Sequence, residues 1–107
     1  MINKDLIKSK LIDIKNYYNE LHPLLEFNER EIIDDNLKLH SVERLFQIIV
    51  DTAVDINTHI IAESDFNVPD DYQSTFITLG EKKILPMDFC LKIAPSVGLR
   101  NLIYSKY

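Results

Sequence analysis

Glycine and proline are scarce in this chain: two and four, respectively, among 107 residues. Sandwiches and barrels turn tightly many times and use these residues to do so, so their scarcity argues against both folds. Between Pro23 and Pro69 there is neither proline nor glycine, which leaves that stretch free to form long helix. Cysteine is nearly absent. The one copy, Cys90, excludes an internal disulfide and fits a reducing compartment. It lies in the apolar run FCLKI and reads as a small buried hydrophobe rather than a reactive thiol. The N-terminal MINKDLIKSK has no apolar block of the kind a secretory leader carries. No run approaches the roughly 18 apolar residues of a membrane span. A cytoplasmic protein with no membrane association is expected.

What is present is an ordinary globular composition, 46% apolar and 27% charged, in a chain long enough for one domain, residues 1–107. A net charge of −5 disfavours general nucleic-acid coating but leaves room for a local basic site. The charge is uneven. From Phe89 onward there are three basic residues (Lys92, Arg100 and Lys106) and no acidic one, so the remainder carries all 17 acids against nine bases. The chain ends in GLRNLIYSKY, with arginine, lysine and two tyrosines close together.

Apolar spacing of three and four residues predicts an amphipathic helix over 2–22, ended or kinked at His22-Pro23. NEREIIDD allows one or two helical turns. Val42, Leu45, Ile49, Ala53, Ile56 and Ile60 mark a second long helix, roughly 37–63, with apolar flanks that suggest burial on more than one side. A short helix is expected from Pro69-Asp70 to a stop at Gly80, and a last one from Pro86, disturbed at Pro95. The expectation is all-α: an antiparallel bundle of four to five helices.

Two constellations carry chemistry. Asp51, Asp55 and His59 recur at four-residue spacing on the central helix and predict one polar stripe. Carboxylates beside an imidazole suit acid–base work or metal binding, and equally a solvated face. Arg100 shares a helical face with Tyr104 and Tyr107. Arginine is well shaped for a phosphate, and tyrosine for stacking on bases; a solvated helix end with amphipathic tyrosines is the plain alternative. No Cys/His cluster has zinc spacing and no glycine-rich phosphate loop is present, so neither a metal nor a cofactor is expected.

The stretches RLFQIIVDTAVDINTHIIAE, VPDDYQSTFITLGEKKILP and LKIAPSVGLRN, in this order and spacing, resemble the HepT-like branch of the HEPN (higher eukaryote and prokaryote nucleotide-binding) superfamily. The resemblance covers about residue 37 to the end, with the first helix compatible. It implies a helical bundle that forms a homodimer. It also implies the toxin of a bacterial toxin–antitoxin module, partnered by a minimal nucleotidyltransferase antitoxin like MntA, and an RNA-cleaving cleft that works without metal. The family signature is Arg, four residues, His, any residue, Tyr. On this chain the Arg falls on Arg100, followed by the usual polar residue as Asn101, and the Tyr falls on Tyr107, the position the partner silences by AMPylation. Where the family has His, this chain has Ser105. The family also continues into another helix, which this chain is expected to lack.

The substitution matters chemically. Cleavage without metal requires activating a ribose 2′-OH, stabilising a charged phosphorane and protonating the leaving oxygen. Histidine titrates near neutral pH and can move those protons; a serine hydroxyl cannot. Weak or absent ribonuclease activity is therefore expected, with Arg100 still able to hold a phosphate. On a straight helix residues five apart diverge by about 140°, so Arg100 and position 105 converge only at an unwound end or across a two-fold axis. Asp51, Asp55 and His59 are expected beside Arg100 as supporting residues. The alternative reading is a non-catalytic helical module for dimerisation or for binding a nucleotidyltransferase antitoxin or nucleotide.

Overall fold

Six helices, with no strand among the described residues 1–106, make up the computed structural model: α1 Lys4–Leu24, α2 Glu29–Ile33, α3 Asn36–Glu63, α4 Gln73–Glu81, α5 Met87–Ile93 and α6 Pro95–Lys106. With α2 only five residues long, the bundle proper is five helices. The starts are written in the sequence. Asn3 accepts from the Leu6 N–H, Asn28 from Glu31 and Asp35 from both Leu37 and Lys38, each satisfying donors that the first turn leaves open. The Lys38 ammonium also binds Asp35 at 2.8 Å, and these bonds to Lys38 hold the Asp35 carboxyl below its usual range.

α3 is the axis: α1, α2, α4 and α6 all pack on it. It is the one described helix long and apolar enough to cross a membrane, and here Val50, Val54, Ile56 and Ile61 of it are buried in the bundle. The core lies on the side of α4–α6, where Val50 and Val54 of α3 meet Phe76, Cys90, Ala94 and Val97. Cys90 and Leu79 are fully buried, and burial pushes the Cys90 thiol pKa up, so it behaves as a small core residue.

Two boundaries differ from expectation. α4 starts at Gln73, three residues after Asp70, and the Asp71 carboxylate just before it accepts from the Ser74 N–H at 2.8 Å and the Ser74 hydroxyl at 2.9 Å. Gly80 does not stop α4 but lies inside it. The left-handed residue after the helix is Lys83, φ 60°, with the Ile84 N–H returning to the Leu79 carbonyl at 2.9 Å. Gly80 instead allows a close approach: a Cβ there would stand 2.8 Å from the Met87 sulfur and 3.3 Å from that of Cys90. Pro95 is the first residue of α6, and divides the expected last helix into α5 and α6.

Candidate functional site

α6 runs antiparallel to α3 and is fastened to it by charge. Lys106 binds Glu43 at 3.0 Å at one end, and six residues earlier Arg100 pairs with Asp51. The basic surplus of the last segment is thus met largely by acids of the central helix. The Arg100 side chain is 11% exposed, an unusual degree of burial for an arginine. One terminal nitrogen donates to Asp51 Oδ1, the other to Asn101 Oδ1 at 2.6 Å, while Nε is buried with no partner. The guanidinium is also flanked by aromatic rings: its carbon is 5.4 Å from the Tyr72 ring centre and 5.2 Å from that of Tyr104.

Asp51 is shared. Its second oxygen accepts from the Tyr104 hydroxyl at 2.6 Å. That bond, with some burial, raises the Tyr104 pKa above the ordinary phenol value, because ionising it would set a phenolate against a carboxylate. Asp51, Arg100 and Tyr104 therefore form one polar unit across the α3–α6 seam. Beside it an open depression of about 470 Å³ is lined by Asp70, Asp71, Tyr72, Gln73, Val97, Arg100 and Asn101.

Asp55 and His59 do not join this unit. Lys10 reaches Asp55 at 3.5 Å, and His59 Nε2 accepts from the Asn3 backbone N–H at 3.0 Å. Each step of four residues rotates a helix by about 40°, so eight residues carry the stripe about 80° around α3. It begins at α6 and finishes at α1. Ser105 is exposed, and its hydroxyl donates to the carbonyls of Asn101 and Leu102 in its own helix, at 3.0 and 3.1 Å. Tyr107 lies outside the described residues. Tyr72 had no motif to announce it. It comes from the loop before α4, and the packing of α4 against α3 and α6 brings it to Arg100.

The sequence profile described as "Ribonuclease HepT-like" matches residues 14–107. The chain belongs to the HepT-like ribonuclease family. A HepT-like relative from Aphanizomenon flos-aquae (strain 2012/KM1/D3), "tRNA nuclease HepT", is 34% identical over 104 residues, which is 96% of this chain and 65% of that protein. The match to the HepT-like profile contains the whole of α3–α6 and so every residue of the Arg100 unit.

Proposed function

We propose that this chain is the toxin-type component of a bacterial, cytoplasmic toxin–antitoxin module. It binds RNA at Arg100, and its cleavage is impaired because Ser105 stands where the family has histidine. The observation that carries the reading is Arg100 itself: a buried guanidinium braced by Asp51 and Asn101, with an unpartnered Nε, at the edge of an open depression. A cation preorganised in this way is suited to an anionic phosphate and to the charge that grows on it during cleavage. The relative's printed name makes transfer RNA the first substrate to try.

Ser105 has no group that exchanges protons at neutral pH, and its hydroxyl is turned back onto its own helix. Replacing Ser105 by His should raise transfer-RNA cleavage by about 10²- to 10⁴-fold, the usual worth of a general acid–base catalyst. Equal rates for the two forms would remove the claim that Ser105 limits turnover. Continued silence of Ser105→His, with RNA still bound, would favour the second reading: a non-catalytic module that dimerises and engages its antitoxin or a nucleotide.

The active assembly in this reading is a homodimer, since α6 is a regular helix and aims Arg100 and position 105 apart. Light scattering should give about twice 12.5 kDa at micromolar concentration; a monomer there would count against it. The antitoxin is a nucleotidyltransferase that attaches AMP to Tyr107, adding negative charge and bulk near the phosphate site. Tyr104 is the poorer acceptor, because its hydroxyl is already donated to Asp51 and its pKa is raised. Peptide mass mapping after incubation with the partner and ATP should find the adduct on Tyr107; an adduct on Tyr104 alone would sink the claim.

A further inference from the structure

We propose that Tyr72 is a stacking platform for a nucleobase of the RNA next to the phosphate held by Arg100, an inference that rests on the RNA-binding reading above. Tyr72 is 53% exposed, so about half of its surface remains open although the ring lies 5.4 Å from the guanidinium carbon. An aromatic ring packed near a phosphate-binding arginine, with surface left to the solvent, can continue the stack onto a base.

The backbone that carries the ring is tied down from below. Asn57 on α3, only 3% exposed, donates to the Thr75 hydroxyl at 3.2 Å, and that hydroxyl donates to the Tyr72 carbonyl at 2.6 Å. Thr75 is buried to 1% exposure. The Thr75 N–H returns to the same carbonyl at 3.2 Å. This buried relay ties the Tyr72 backbone to the central helix, which also carries Asp51, the brace of Arg100. Platform and cation are therefore registered to one rigid element.

The surroundings suit a base. Gln73 and Asn101 line the same depression, and neither the Gln73 side-chain amide nor Asn101 Nδ2 has a hydrogen-bond partner among the described residues. Asp70 adds an acceptor, which repels a phosphate but accepts from an exocyclic amine or ring N–H. Such a mixture reads the edge of an unpaired base, while the sugar–phosphate is left to Arg100.

The chain contains no tryptophan, so Tyr72→Trp places a single indole at the platform, and Tyr18→Trp on exposed α1 serves as the remote control. Each is titrated with a single-stranded RNA oligonucleotide and with an abasic ribose-phosphate oligomer of equal length. Fluorescence anisotropy of labelled RNA on the wild-type chain runs in parallel. We expect RNA, but not the abasic oligomer, to quench the indole of Tyr72→Trp, and neither to quench that of Tyr18→Trp. Tyr72→Ala should weaken RNA binding by about fivefold to a hundredfold and leave abasic binding unchanged. Tyr72→Phe should keep both. Loss of RNA and abasic binding in equal proportion in Tyr72→Ala would make Tyr72 a prop for Arg100 and overturn the stacking role. So would an unquenched platform indole on bound RNA. If the wild-type chain binds no RNA, the RNA reading fails and this inference with it; RNA bound while the Tyr72→Trp fluorescence stays unchanged overturns the platform alone.

Discussion

The two flanks of α3 are built differently. On the α1 flank, a helix of 21 residues buries one side chain, Leu21, and leaves Leu6, Leu11 and Ile12 substantially exposed. Its anchors to α3 include the Lys10–Asp55 pair and the Asn3–His59 bond, and an apolar groove of about 370 Å³ remains between α1 and the α4–α5 layer. On the opposite flank α4, α5 and α6 are all shorter than α1, yet they and the Ala94 junction supply Phe76, Leu79, Cys90, Ala94 and Val97 to the core. The candidate site is on this tight flank. A cation that must be braced within hydrogen-bonding distance across two helices needs helices that cannot slide, and close packing supplies that rigidity.

The contrast can be broken most directly in the core. Leu79→Ala, at a fully buried position, should cost about 2–5 kcal/mol of stability, whereas Leu11→Ala, 54% exposed, should change it by less than about 1 kcal/mol. Paired urea melts check this; similar costs would mean that the flanks are equally packed.

Next in size is Asp51→Ala, which strips the main brace from a nearly buried arginine and should cost about 1–3 kcal/mol, with loss of RNA affinity. Asp55→Ala, on the α1 side and 63% exposed, should leave both nearly unchanged. A binding assay beside each melt tests whether Asp51 alone of the expected stripe serves the site.

The two glycines sharpen the comparison within the tight flank. At Gly98 nothing lies within 4 Å of an added Cβ, so Gly98→Ala should stabilise α6 by about 0.5–1 kcal/mol. Gly80→Ala meets the end of the Met87 side chain and the buried Cys90 sulfur, which offset its gain in helix propensity, so it should be less stable than Gly98→Ala. Paired thermal melts check the order.

The smallest effect is one of pH. Tyr104 has a raised pKa in the folded chain, so its bond to Asp51 contributes fully below the ordinary phenol value of 10.0 and is lost as pH rises through the folded value. Stability should fall slightly more steeply above about pH 10 than in Tyr104→Phe. Spectrophotometric titration of the phenolates with parallel melts measures it; identical alkaline limbs would show that the bond does not couple α6 to α3.

Local chemistry made much of the bundle legible from the residues. Apolar residues three and four apart announce α1 and α3 because helical periodicity is local, and the long stretch without proline or glycine leaves α3 unbroken because propensity is local. Arg100 and Ser105 were readable because a motif is a spacing along the chain. Gly80 misled because a glycine that ends a helix and one that admits a neighbouring helix are identical in one dimension; the close approach of α5 settles which it is. The divergence of Asp55 and His59 from Asp51 depended on where α1 and α6 sit around α3, since the rotation of about 40° per four residues matters only once partners occupy the faces. Tyr72 belonged wholly to tertiary structure. It is separated from Arg100 by two helices and from Asp51 by a loop, and no local preference records that three separate segments meet at one guanidinium.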